Sequence, residues 1–269
     1  MRLIAVDLDG TLLRSDKTIS ERTVEALRQV RGRGFTVVPV TARPPRFLRK
    51  LALDREIFDV AICCNGALVY DVPGETIIEH RALEPADALR IVTLLRETLP
   101  ELCFAAELGL RYGWDSRYAC LPGALLDPDG IVAEVDSLLT EPVTKLIARH
   151  PSLAFDLLLD SARSLALGEC EITHSSTEFI EISRRGVDKA AALIDFTARL
   201  GLSPAEVIAF GDMPNDLPML RWAGHSIAVA NAHPDVLSTV DAVTASNDED
   251  GVAVMLEQLL GLSVSLPAR

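Results

Sequence analysis

The sequence predicts an α/β protein. Its parallel-sheet core, residues 1–83 and 184–269, is formed by both ends of the chain around an inserted α+β domain, residues 84–183. Three observations predict this. Apolar runs of strand length alternate with helical periodicity up to residue 83, the signature of a parallel sheet covered by helices. Between residues 84 and 183 short strands and helices mix without that alternation. After Gly186 the alternation returns. A length of 269 residues, 49% of them hydrophobic, suits one large or two modest domains with a sizeable core.

Residues 2–6 form a short apolar strand that runs straight into Asp7-Leu8-Asp9-Gly10. Residues 20–33 read as a helix, with Val24, Leu27 and Val30 at helical spacing, Ser20 as N-cap and Gly34 as the stop. A β-branched strand follows at 35–40, then a proline-opened helix at 45–53, a strand at 60–64 and a hairpin-like passage at 67–70 and 76–79. In the insert, residues 85–99 are helical, with Ile91, Leu94 and Leu95 on one face. Strands are expected at 103–106, 111–113 and 143–148, a helix at 152–159, and a strand pair at 172–174 and 179–182. The core resumes with a helix at 189–200, a strand at 207–210, a helix at 216–223 and a strand at 226–229. Helices at 233–238 and 251–260 follow, and residues 263–269, which lack periodicity, are expected to fray.

The charge balance is 26 Lys and Arg against 39 Asp and Glu, a net −13. Such a surface disfavours nucleic acid and anionic membranes, since phosphate backbones require a basic footprint. No apolar run is long enough to span a bilayer. Asp7 interrupts the opening apolar run, so it does not read as a secretory leader. Five cysteines without a C-x-x-C pair argue against a disulfide framework and a structural zinc site, and Cys63 and Cys64 read as buried thiols. The expected location is cytoplasmic. The chain lacks a heptad seam for coiled-coil assembly, and the expected state is a monomer or small homo-oligomer.

Four polar clusters fall at carboxyl ends of core strands or at the helix starts beside them, where open parallel sheets bind ligands. In Asp7-Leu8-Asp9-Gly10-Thr11, strand alternation places both aspartates on one side. Paired carboxylates hold a divalent cation or divide nucleophilic and acid–base roles. Asp-Gly between apolar flanks also fits a hairpin turn. Thr41-Ala42-Arg43 offers a hydroxyl, backbone N–H groups and a guanidinium to a phosphate, or is a helix cap followed by a surface arginine. Lys189 opens a helix against the macrodipole, which requires a nearby anion unless the side chain is simply solvated. In Gly211-Asp212-Met213-Pro214-Asn215-Asp216, two acids and an asparagine exceed what capping needs, and hard oxygen donors suit Mg²⁺.

These motifs together resemble the haloacid dehalogenase superfamily of phosphohydrolases. The segments Cys64-Asn65-Gly66-Ala67, Phe179-Ile180-Glu181-Ile182, Gly186-Val187-Asp188-Lys189, Ala228 to Ala232 and Asn247 to Ala253 are similar to its Cof-type branch. The resemblance runs from about residue 3 to about residue 260, and it implies a Rossmann-like core with a C2-type α/β cap that selects the substrate. It implies Asp7 as the nucleophile, and Asp9 as the acid–base group and, through its carbonyl, a metal ligand. Asp7 and Asp212 would supply side chains to Mg²⁺. Thr41, Ala42, Arg43, Lys189 and Asn215 would hold the phosphate, and Asp216 would orient Lys189 or a metal-bound water. A carboxyl pKa raised by neighbouring anions is expected to let Asp9 share a proton. Ala42 stands where the branch usually has glycine, which raises the question whether the loop needs a positive φ. In the cap, Arg111, Trp114, Arg117, Tyr118 and Lys145 are either leaving-group contacts or ordinary surface and core-edge residues, and Arg81 reads as solvated surface.

The expected activity is Mg²⁺-dependent hydrolysis of a small soluble phosphate monoester, a sugar, cofactor or nucleotide phosphate, through an aspartyl-phosphate. A sugar phosphomutase of the same fold and a catalytically silent phosphate-binding protein are the alternatives. A dinucleotide-binding enzyme and a P-loop kinase are disfavoured because the G-x-G-x-x-G and G-x-x-x-x-G-K-[ST] motifs are missing from the expected places.

Overall fold

The computed structural model describes residues 1–51, 56–165, 168, 170–174 and 178–261. In chain order, the strands and helices are β1 (Leu3–Val6), α1 (Glu21–Gly32), β2 (Thr36–Pro39), α2 (Pro45–Lys50), β3 (Val60–Cys63), β4 (Leu68–Asp71), β5 (Thr76–His80) and α3 (Pro85–Thr98). Next come β6 (Cys103–Leu108), β7 (Arg111–Trp114), α4 (Ser116–Ala119), β8 (Ile131–Val132), α5 (Val135–Leu138), β9 (Lys145–Arg149), α6 (Phe155–Ser164), β10 (Cys170–Thr173) and β11 (Ile180–Arg184). The chain closes with α7 (Lys189–Arg199), β12 (Val207–Gly211), α8 (Leu217–Trp222), β13 (His225–Ala228), α9 (Pro234–Leu237), β14 (Ala242–Val243) and α10 (Gly251–Leu259). Two compact units result. One comprises Met1–Arg43, Phe47–Thr76 and Asp188–Arg269; the other comprises Pro44–Arg46 and Ile77–Val187.

The first unit is built on a parallel sheet of order β14-β13-β12-β1-β2. Leu3 pairs with Val207 on one side and Thr36 on the other, which makes β1 an interior strand. All four of its residues are buried, as expected where helices cover both faces. Connections leave β1 towards β2 and leave β12 towards β13, so the strand order reverses between β1 and β12. The crevice at their carboxyl ends is the place where such sheets bind ligands. Leu3, Ala5, Val38, Leu193, Val207, Ala209 and Met219 fill one core cluster. The α1 start is capped by the Ser20 side chain, which accepts from Thr23 N–H, and Gly34 at φ 87° turns the chain into β2.

The second unit contains a sheet of order β10-β11-β9-β6-β7-β8, antiparallel apart from β7–β8. Alternation along its strands separates two faces. Phe104, Ala106, Leu146, Ala148, Ile180 and Ile182 pack with Ile91 and Leu95 of α3 and Leu158 of α6. Ala105, Ile147, Tyr112, Trp114, Tyr118 and Phe179 form a second, aromatic cluster.

Several boundaries differ from the sequence reading. Asp9-Gly10 is not a hairpin turn, because β1 finds parallel partners on both sides instead of an antiparallel neighbour. The helix expected at 152–159 begins at Phe155 and continues to Ser164, following the apolar spacing of Leu158, Leu159 and Ala162. The helix expected at 216–223 is preceded by a 3₁₀ turn, Pro214–Asp216, and runs over Leu217–Trp222. The helix placed at 45–53 covers Pro45–Lys50; Leu53 and residues 263–269 lie outside the described residues. Arg81 is not solvated surface but a half-buried partner of Glu79 at 3.3 Å.

Candidate active site

The first unit places a cluster of buried charged residues, Asp7, Lys189, Asp212 and Asp216, at the carboxyl ends of β1 and β12. Asp7 directly follows β1, and Asp212 directly follows β12. Lys189 opens α7, whose N-cap Asp188 accepts from Ala191 N–H. Asp216 closes the 3₁₀ turn after Gly211, where a Cβ on the glycine would lie 2.6 Å from the Asp216 Cβ, so the turn requires glycine. Oxygens of Asp7, Asp212 and Asp216 come within 4.8 Å of one another.

At the centre is a fully buried ammonium. Lys189 is 1% exposed, and its Nζ donates to Asp7 Oδ1 at 2.5 Å and Asp216 Oδ1 at 2.6 Å. Burial alone would lower the lysine pKa, but the Asp216 and Asp7 carboxylates outweigh it and hold the group charged. Asp7 goes the other way. Burial raises its pKa well above the usual carboxylate range; Lys189 opposes the rise, while Asp216 and Asp212 add to it. Burial likewise pushes Asp212 up to about 6, against the Thr11 hydroxyl and with help from Asp216. The Thr11 hydroxyl donates to Asp212 Oδ1 at 2.8 Å.

Asp216 is committed on both oxygens. Beyond Lys189, its Oδ2 accepts from the backbone N–H groups of Asp212, at 3.1 Å, and Met213, at 3.0 Å. This leaves Asp7 and Asp212 as the carboxylates best suited to a cation. The single Lys189 ammonium does not offset the burial of these two acids, whose pKa values stay raised, and a hard divalent ion such as Mg²⁺ matches that oxygen set.

Asp9 differs from expectation. Burial acts to raise its pKa, but the Arg43 guanidinium and the Lys17 ammonium outweigh burial and hold it below the usual range. Arg43 Nε and Nη2 grip the two carboxylate oxygens, and Lys17 donates to Oδ1 at 3.0 Å. Cations, not neighbouring anions, therefore set its charge. Thr41 is buried, and its hydroxyl accepts from Arg43 N–H at 3.1 Å. Ala42 is not among the residues with positive φ, so its methyl group brings no backbone strain.

Asn215 Nδ2 donates to Asn65 Oδ1 at 3.2 Å. Asn65 lies in a turn where Cys64 (φ 51°) and Asn65 (φ 54°) both adopt left-handed backbone. Thr11, Lys17 and Asn65 touch predicted site residues, although the sequence alone assigns them no role. Thr11 and Asn65 fall within the family-like motifs, whereas Lys17 carries no such signal. In the second unit, Trp114 and Tyr118 are buried in the aromatic cluster, Arg111 pairs with Glu141, and Arg117 donates to Leu102 O. Lys145 is buried against Glu181 at 2.5 Å.

A family profile for haloacid dehalogenase-like hydrolases matches residues 4–256. The chain is 30% identical over 259 residues to 5-amino-6-(5-phospho-D-ribitylamino)uracil phosphatase YcsE of Bacillus subtilis, covering 94% of this chain and 93% of that protein. Pyridoxal phosphate phosphatase YbhA of Escherichia coli is 30% identical over 267 residues, with 94% and 96% covered. Among solved structures, a haloacid dehalogenase-like hydrolase from Bacteroides thetaiotaomicron matches with a TM-score of 0.79 at 27% identity, covering 96% of this chain and 99% of that one.

Proposed function

This chain belongs to the haloacid dehalogenase-like hydrolase family, and from that premise we propose that it is a Mg²⁺-dependent phosphatase. Its substrate is a small soluble phosphate monoester, a sugar phosphate or a cofactor or nucleotide phosphate. The observation that carries this reading is the cluster of Asp7, Asp212 and Asp216 around the buried Lys189. The phosphatase names of relatives at 30% identity support the reaction class.

In this reading Asp7 attacks phosphorus, forming the Asp7–phosphate bond as the ester O–P bond breaks. Asp9 gives its proton to the departing alkoxide, then takes one from the water that cleaves the aspartyl-phosphate and regenerates Asp7. Arg43 holds Asp9 ionised when no phosphate is present. An incoming phosphate that engages Arg43 weakens that hold and raises the proton affinity of Asp9. Thr41, the Ala42 N–H, Arg43 and Asn215 bind phosphate oxygens, while Lys189, oriented by Asp216, offsets charge on Asp7 and the transferring group. Asp7, Asp212 and the Asp9 carbonyl would hold Mg²⁺, which would supply positive charge to the phosphoryl oxygens when bound.

Residues 84–183 are read as the substrate-selecting cap. The protein is read as cytoplasmic, a monomer or small homo-oligomer, and without nucleic-acid or membrane partners. Among the described residues no helix is long and apolar enough to cross a membrane. The test is phosphate release from an aryl phosphate and a panel of sugar, cofactor and nucleotide phosphates, with Mg²⁺ and with chelator, beside Asp7→Asn. Mg²⁺-dependent release abolished in the variant is expected. Transfer to a second sugar hydroxyl would make the protein a mutase, and no turnover at all would make it a silent binder.

A further inference from the structure

Two of the Cof-like segments, Ala228 to Ala232 and Asn247 to Ala253, contain none of the reacting side chains. The structure gives their asparagines a shared task. Asn231 Nδ2 donates to Gly10 O at 2.8 Å, while its Oδ1 accepts from Asn247 N–H at 2.9 Å. The buried Asn247 side chain in turn donates to Leu13 O at 2.9 Å. The turn that follows Asp9 is thus held by two amides whose own positions are linked. A carboxamide suits this because one planar group supplies both a donor and an acceptor. Aspartate at 231 would keep the acceptor and set a second oxygen against the Gly10 carbonyl.

The Gly10–Thr11 peptide is what this linkage immobilises. Gly10 has φ 81°, and a Cβ built on it would lie 2.4 Å from Asp212 Oδ2. The next residue, Thr11, places its hydroxyl on Asp212 Oδ1 at 2.8 Å. The bare Gly10 thus leaves room for one oxygen of the Asp212 carboxylate while the Thr11 side chain bonds the other, so a shift of the Gly10–Thr11 turn disturbs the seat of that carboxylate. Farther out, Arg14 grips Asp250, and Ser15 Oγ meets Asp248 Oδ2 at 2.7 Å. Those contacts fasten the same turn to the same loop but do not reach Asp212.

We propose that Asn231 and Asn247 are positioning residues that lock the Gly10–Thr11 peptide and, through it, fix the Asp212 carboxylate for cation binding. The inference rests on Asp212 serving as a metal ligand, as read above. Its test uses the full chain carrying Asn231→Asp, with Glu257→Gln as a control that loses a distant ion pair, Arg22 to Glu257, in the same unit. Mg²⁺ binding is measured by calorimetry with the metal alone, kcat and KM with an aryl phosphate, and amide hydrogen exchange over residues 10–13.

Asn231→Asp is expected to weaken Mg²⁺ binding roughly tenfold, the usual scale for losing a group that orients a metal ligand. It should lower kcat with little change in KM and speed exchange over residues 10–13. Glu257→Gln is expected to show none of these three changes, whatever it does to the melting temperature. If Asn231→Asp matches the control in Mg²⁺ affinity and kcat while the wild type is active and Asp7→Asn is dead, the asparagines are only structural and the inference fails. If the wild type neither binds Mg²⁺ nor turns over, the reading of the site fails and takes the inference with it.

Discussion

The Lys189 ammonium lies 2.5 Å from an Asp7 carboxylate oxygen, with both groups shielded from solvent. A second buried carboxylate, Asp216, sits 2.6 Å from the same nitrogen. Removing the lysine leaves two buried acids without a cation. Lys189→Met is expected to cost roughly 3–5 kcal/mol of stability, the range for breaking a buried ion pair from one side. Denaturant unfolding should show a larger loss at alkaline than at acidic pH, since the acids can escape by taking protons. A loss below about 1 kcal/mol would mean that solvent reaches the pair.

Gly10 is predicted to tolerate no side chain. Its φ of 81° and the 2.4 Å that would separate an added Cβ from Asp212 Oδ2 set strain and collision at one position. Gly10→Ala should destabilise the fold by about 1 kcal/mol or more and sharply reduce turnover. Activity close to wild type would show that the turn can shift without consequence for Asp212.

Ala42 makes the opposite case. Its backbone is not in the left-handed region, so glycine relieves nothing there. Ala42→Gly is expected to lower stability by about 0.4–1 kcal/mol through unfolded-state entropy, with phosphate affinity essentially unchanged. Clearly tighter inorganic-phosphate binding would show instead that the methyl group obstructs the ligand.

The acids also predict how Mg²⁺ stabilisation depends on pH. Burial pushes Asp212 up to about 6 and raises Asp7 too. A carboxyl with a raised folded-state pKa holds its proton more tightly folded than unfolded. The metal-free protein therefore loses stability from these groups as pH rises from about 4, the unfolded value, through about 6. Mg²⁺ binds the ionised acids and competes with protons. Its melting-temperature increment should be small near about pH 5 and larger near about pH 7.5. Equal increments at both values would contradict the assignment.

The reach of the sequence follows from what each signal depends on. The grouping of Asp7 and Asp212 is legible because apolar strands that run into acids mark the carboxyl edge of a parallel sheet, and that of Asp216 because it starts the helix beside that edge. Lys189 is legible as a cation at a helix start in need of an anion, and the structure provides Asp7 and Asp216. The contacts of Asn231 with Gly10, and of Thr11 with Asp212, are not legible, because they join residues some two hundred positions apart. The charge state of Asp9 escapes the sequence for a related reason. Its neighbours along the chain suggest anions, whereas folding brings Arg43 and Lys17 to it. The short elements β8, α4, α5 and β14 span two to four residues each, too few to establish a period.

The most direct test of the central claim is to trap the Asp7–phosphate bond. Enzyme quenched during turnover of an aryl phosphate with Mg²⁺ is treated with borohydride, which reduces an acyl phosphate to the alcohol, and is then digested and mapped by mass spectrometry. Homoserine at position 7, missing when substrate is omitted, is the predicted result. Turnover with no reduction at Asp7, or with reduction at another carboxylate, would contradict the nucleophile assignment.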